Sequence, residues 1–167
     1  TGKLIEWYEN GHKKIEGEYD ENLFTDGQFQ DRELNKEEFR IGKWTEWYEN
    51  GNKKIEGSYE FDDEIYHGYH EYAIKVGKWI EWSEDGDIIE ERIYKKGNMT
   101  KTTTYENGDK WLEENFKHGV RHGKLTSWCE ASGKKDKEEV WKDGKLNGKS
   151  TVWVHPERIE QEEDKDV

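Results

Sequence analysis

Glu6, Glu46 and Glu81 each stand directly before a tryptophan, Trp7, Trp47 and Trp82, so one carboxylate position is written three times along the chain. General acid–base chemistry needs a desolvated carboxyl with a raised pKa beside a second that stays ionised, and it needs that pair only once. A repeated position reads instead as a ladder of solvated or cross-strand-paired residues. His67 and His70, with Glu64 and Glu71 nearby, come closest to a metal-ligand set. Their spacing does not put both rings on one side of a strand or turn, and no third ligand follows at a recognisable interval, so no metal is assigned. His118 and His122 flank a Gly-Val-Arg turn and are expected to be exposed. Cys129 occupies the slot held by Tyr8 and Tyr48 in better copies of the same string, which makes it a small apolar substitute and not a nucleophile. Neither a nucleophile elbow nor a phosphate loop is present, and the acids around Gly86 lack the calcium-loop pattern. The sequence therefore assigns no catalytic residue and no cofactor.

The elements that carry these residues are repeats. Glu6–Tyr19, EWYENGHKKIEGEY, returns as Glu46–Tyr59, EWYENGNKKIEGSY. Units open near residues 2, 42, 77 and 123, with weaker copies near 99 and 148, the last a single truncated strand. The organisation expected is one repeat domain over 1–154, interrupted by irregular segments 20–41 and 60–76, then a charged, frayed tail over 155–167 with room for a short helix from Glu157. Gly27 and Gly68 mark candidate shortened hairpins inside the irregular segments.

Within a unit the apolar residues alternate about a glycine-containing turn, the signature of a β-hairpin. A three-residue loop of Glu9, Asn10 and Gly11, with Gly11 left-handed, sets Trp7 opposite Lys13 and Ile5 opposite Ile15, gathering the apolar residues on one side. Gly51, Gly86 and Gly108 take the same role. Trp7, Trp47, Trp82 and Trp128 then form a packed stripe with Ile5, Thr45, Ile80 and Thr126. Tyr8, Tyr48, Trp44 and Trp79 point to the opposite face, which a single layer cannot bury by itself. That face is either covered by the irregular segments or free to bind a partner. On the second reading the partner-binding residues are Glu6, Tyr8, Trp44, Glu46, Tyr48, Trp79 and Glu81, because Tyr and Trp dominate interface hot spots.

Forty per cent of the residues are charged and only 30% are apolar, yet nine Trp, nine Tyr and five Phe supply a thin aromatic core. These proportions suit an elongated sheet better than a rounded globule. The net charge of −13, from 40 acidic and 27 basic residues, opposes direct nucleic-acid binding and docking to anionic membranes. It would steer a partner protein with a basic patch. No membrane span is expected from the hydropathy pattern. The lone cysteine leans toward a reducing cytoplasm, while the Thr1 start leaves a secreted or periplasmic location open. Unpaired edges on the terminal hairpins would allow an end-to-end homodimer.

The strings GKWTEWYENGNKKIEGSY, YKKGN, FKHGVRHGK and WKDGKLNGK resemble the bacterial variant of the MORN repeat, as in proteins of the YwqK-type antitoxin family. The resemblance implies an all-β fold, an elongated, twisted single-layer antiparallel sheet of tandem hairpins. It also implies a non-catalytic protein-binding module of antitoxin or immunity type. The alternative is a secreted or surface-exposed structural or adhesive repeat protein that binds a host or envelope component.

Overall fold

Strands make up most of the backbone, and no helix occurs among the described residues, in the computed structural model, which describes residues 1–20, 39–61 and 73–155. The shortened hairpins expected at Gly27 and Gly68, the His67/His70 pair and the tail beyond His155 lie outside the described residues. Two compact units divide the chain, Thr1–Asn98 and Met99–Val167.

The first unit is three hairpins in sequence order: β1 Gly2–Trp7 with β2 Lys13–Tyr19, β3 Arg40–Trp47 with β4 Lys53–Phe61, and β5 Ala73–Trp82 with β6 Ile88–Lys95. Each strand pairs antiparallel with the next. The second unit holds β7 Asn98–Glu106, β8 Asp109–Lys117, β9 Val120–Arg121, β10 Gly123–Trp128, β11 Lys135–Lys142, β12 Lys145–Leu146 and β13 Thr151–Val152. Its order is β7-β8-β10-β11-β12, with β9 on β8 and β13 on β11. The fold is all-β, built from antiparallel hairpin repeats.

The turns explain the hairpins. Tyr8 N–H donates to the His12 carbonyl at 2.8 Å and Gly11 N–H to the Tyr8 carbonyl at 3.0 Å, with Gly11 at φ +87°. This is the three-residue loop read from the sequence, and it recurs at Tyr48–Asn52 and Ser83–Asp87. The turn at Gly108 differs. Glu106 pairs with Asp109, and both Asn107 and Gly108 have positive φ, which makes a two-residue turn whose twist matches the flanking strands. As a result Tyr105, opposite Lys110, takes the slot held by Trp7, which lies opposite Lys13.

The register departs from expectation at one point. Trp7 does face Lys13, but Ile15 lies opposite Glu6, and Ile5 lies opposite Glu16. The cause is a bulge that drops Lys14 out of the ladder and inverts the alternation beyond it. The second hairpin repeats it, with Glu46 opposite Ile55 and Trp47 opposite Lys53. Ile15 therefore leaves the Ile5–Trp7 side and joins the face of Leu4 and Glu6.

That face holds the core of the first unit. Across β2, β3, β4 and β5 it carries Gly17, Trp44, Gly57 and Trp79. A Cβ built on Gly17 would fall 2.1 Å from Trp44, and one on Gly57 2.0 Å from Trp79, so each indole lies directly on the bare backbone of the strand before it. The two indoles are 3% and 4% exposed. Tyr59 stands edge-on between them, 6.3 Å from Trp44 and 5.0 Å from Trp79, and Tyr94 extends the row. Arg40 lies 4.5 Å above Trp44 and Lys75 4.4 Å above Trp79, placing cations on the negative ring faces. A single layer thus buries aromatic rings by laying them along glycine. The expected assignment holds only in part: Trp44 and Trp79 are core, while in the expected stripe Thr45 and Thr126 are buried, Trp47, Trp82 and Trp128 are half-buried, and Trp7 is 57% exposed.

Candidate functional site

The opposite face, with Ile5, Thr45 and Trp47, is built from lysine–glutamate clasps. Glu16 receives Lys13 at 2.6 Å and Lys3 at 2.7 Å; Glu56 receives Lys53 at 2.6 Å and Lys43 at 3.0 Å. The second unit repeats the device at Glu113, held by Lys101 and Lys110, and at Glu138, held by Lys124 and Lys135. In the third hairpin Lys78 holds Glu91, and Ile88 stands where the second lysine would be. Lys13 also sits between Trp7 and Trp47, 5.9 and 5.6 Å from their rings, and Lys53 lies 5.5 Å from Trp82. A cleft of about 370 Å³ lies between the Glu16 and Glu56 clasps, lined also by Gly17, Glu18, Thr45 and Trp47.

The electrostatics of this cleft run against acid–base catalysis. Lys13 and Lys3 hold the Glu16 carboxyl below the usual carboxylate range, and Glu16 in turn raises Lys3. Partial burial pushes Glu56 up, but Lys53 and Lys43 outweigh it and leave it lowered. A general acid at neutral pH needs a raised carboxyl and an amine base needs a lowered ammonium, the reverse of both shifts. The clasps instead predict acid sensitivity. Glu138 is lowered by Lys124 and Lys135, and Glu139 by Lys137. Groups with depressed folded pKa values contribute stability that is present above the unfolded carboxyl value, about 4.3, and is lost as pH falls through the lower folded values. Urea midpoints are expected to fall steadily from about pH 5 to pH 3, and Lys53→Met should flatten that fall.

The residues singled out in the sequence divide by role. Glu6, Trp44, Glu46, Trp79 and Glu81 share the glycine–tryptophan face, where Glu6, Ile15, Glu46, Ile55 and Glu81 form one row across five strands. Glu6 pairs with Lys14 at 3.3 Å and Glu81 with Arg92 at 3.1 Å; Arg92 also binds Glu90. Burial removes Trp44 and Trp79 from any contact surface. Tyr8 and Tyr48 hold neighbouring hairpins together, since the Tyr8 hydroxyl donates to the Trp47 carbonyl at 2.8 Å and Tyr48 to the Trp82 carbonyl at 2.9 Å. Beside them the Asn10 amide donates to the Glu49 carbonyl and the Asn50 amide to the Glu84 carbonyl, so consecutive turns are stapled together. Tyr48→Phe is expected to cost about 1 kcal/mol in chemical denaturation, the net worth of one such bond. Cys129 is half-buried. His118 is exposed as expected, while His122 is partly covered, with its Nδ1 3.2 Å from Asp143. Among the described residues no group of His, Cys, Asp or Glu is placed to hold a metal, and no helix is long and apolar enough to cross a membrane.

Sequence reasoning missed the turn carboxylates. Glu9, Glu49, Glu84, Asp85 and Asp87 are all exposed, and no ion pair within the described residues neutralises them. Stapling brings these turns side by side along one edge of the first unit. The signal was available: the lysines of the repeat lie on the strands, so a carboxylate in the loop has no lysine across from it.

No curated protein matches the chain. The family model of the MORN repeat variant matches residues 1–21, 40–60 and 75–96, and no catalytic family is indicated. These segments take in the three stapled hairpins almost whole and lie within the first unit, so those hairpins are similar to the MORN repeat variant.

Proposed function

We propose that this is a non-catalytic binding module that masks a basic partner protein, in the manner of an antitoxin or immunity protein. The observation that carries the reading is the row of unneutralised carboxylates at the stapled turns, Glu9, Glu49, Glu84, Asp85 and Asp87, beside a face where Glu16 and Glu56 are already satisfied by lysine. The net charge of −13 supports it, because uncompensated charge directs long-range attraction toward a partner of opposite sign. Row geometry favours a protein over a small ligand: carboxylates repeated at consecutive turns match an extended basic surface. Glu18, Glu46 and Glu60, which make no ion pair among the described residues, are face carboxylates of the first unit open to such contact.

The test is capture from a lysate of the native cell by the wild-type chain and by a Glu9→Lys/Glu49→Lys/Glu84→Lys variant, with the circular dichroism of both compared. Loss of a captured basic polypeptide at unchanged fold is expected, with association rates falling about tenfold or more and becoming less salt-dependent. Equal capture by both proteins would remove the turn edge from the function. Growth rescue when the captured protein is co-expressed with this chain would establish the masking role.

A further inference from the structure

Asparagine stands directly before glycine at Asn10–Gly11, Asn50–Gly51, Asn107–Gly108 and Asn147–Gly148. A glycine nitrogen is unshielded, because no Cβ stands beside it, and it can close on the amide carbon of the preceding asparagine to make a five-membered ring. Closure needs an amide free to turn, a glycine N–H free to react, and a backbone able to swing the two together. All four asparagines are exposed, so contact with water does not separate them. Hydrogen bonding does separate them. The Asn10 and Asn50 amides donate to the Glu49 and Glu84 carbonyls at 2.7 and 2.8 Å, while their Oδ1 atoms accept the His12 and Asn52 N–H groups at 2.9 and 2.8 Å. Gly11 and Gly51 N–H are engaged as well, each donating to a tyrosine carbonyl at 3.0 Å. Asn107 gives its amide to Glu130 at 2.8 Å, and its left-handed backbone, φ +51°, carries the Gly108 nitrogen to the side of Cα away from Cβ.

We propose that Asn147 is a self-modification site, which converts through a cyclic imide to aspartate and β-linked isoaspartate. Its side chain makes no hydrogen bond among the described residues, and Gly148 N–H donates to no acceptor among them. Both residues lie in the irregular stretch 147–150 between β12 and β13. The Asn147 N–H is tied to the Val140 carbonyl at 2.8 Å, which leaves the rotation toward Gly148 free. In the first step the Gly148 nitrogen bonds to the side-chain amide carbon of Asn147, and the amide nitrogen leaves as ammonia with the proton that Gly148 gives up. Water then opens the ring at one of its two carbonyls. Opening at the side-chain carbonyl gives aspartate in an ordinary chain; opening at the main-chain carbonyl routes the backbone through Cβ and lengthens it by one carbon. That added length falls where β12 and β13 both pair with β11. It displaces Ser150, whose hydroxyl donates at 3.2 Å to the Glu139 carboxylate, a group only 6% exposed. Conversion therefore loosens β13 as well as adding a carboxylate.

The experiment ages the full chain in warm, mildly alkaline buffer, once folded and once in urea, and follows each of the four asparagines by peptide mass mapping. Isoaspartate is counted with an isoaspartate-specific carboxyl methyltransferase and labelled S-adenosylmethionine. In the folded chain Asn147 is expected to convert about tenfold or more faster than Asn10, Asn50 or Asn107, whose turns must first open locally. In urea the four rates should converge, because the reacting dipeptide is the same. Asn147→Gln keeps an amide but enlarges the ring to be closed, and it should remove the methyl-accepting signal of the folded chain. Hydrogen exchange in β13 should quicken in the isoaspartyl protein. An Asn147 that stays intact in the folded chain, or another of the four that converts as fast, would overturn the assignment. Rates in urea that keep the folded-state order would place the difference in flanking sequence and not in the fold, and unchanged exchange in β13 would sever the link to Glu139.

Discussion

Gly57→Ala is expected to destabilise the first unit by about 3 kcal/mol, at the upper end of what overpacking one methyl group does. The new Cβ would lie 2.0 Å from the Trp79 ring, far inside contact distance, and an indole only 4% exposed has little free space to retreat into. Backbone strain plays no part, since Gly57 is not among the residues with positive φ. That separates two explanations of why glycine stands here. If the indole is the reason, Gly57→Ala should be close to neutral in a Trp79→Ala background, and the double-mutant cycle should show a coupling of about 2–3 kcal/mol. Additive effects in urea denaturation would place the penalty in the strand and not in the ring.

Trp44→Ala is expected to cost about 3–5 kcal/mol, the range for emptying a buried indole site. The change removes a 3%-exposed ring together with its Nε1 hydrogen bonds to the Glu18 and Ile41 carbonyls, at 3.0 and 3.1 Å. It also removes the ring beneath Arg40. Trp7→Ala, at a residue of the same type in the same repeat array, should cost no more than about 1 kcal/mol, because more than half of that side chain already meets water. The order of these two effects distinguishes the observed core from the stripe that alternation alone predicts. A larger loss at Trp7 than at Trp44 in thermal or urea unfolding would return the core to the other face.

The hairpin and its loop were legible because a loop's chemistry is local: Glu9-Asn10-Gly11 specifies a three-residue turn within a few residues, whatever packs nearby. What was not legible began one residue beyond. Lys13 and Lys14 are the same residue type, so nothing in the pair reveals which of them leaves the ladder, and that choice decides the face of Ile15. The burial of Trp44 and Trp79 was out of reach for a different reason. It depends on glycines in the preceding hairpin, so a unit inspected alone shows an aromatic ring with nothing to cover it. The repeated Glu6, Glu46 and Glu81 do fall in one row, while the acids of the turns, Glu9, Glu49, Glu84, Asp85 and Asp87, are all exposed. Tyr8 and Tyr48 drew attention as hot-spot types; their hydroxyls join one repeat to the next.

The same hydroxyl-to-carbonyl bond spans 39 residues between Tyr8 and Trp47 and 34 between Tyr48 and Trp82, with nearly equal lengths of 2.8 and 2.9 Å. Interlocking of consecutive hairpins is therefore insensitive to how much chain is inserted between them. For the history of the gene this means that a repeat can be duplicated, or the stretch between two repeats lengthened or exchanged, without any new contact having to arise. Selection can then act on the inserted stretches separately from the scaffold, and variation between relatives should gather there while the Tyr, Asn, Gly and Trp of each repeat stay fixed together.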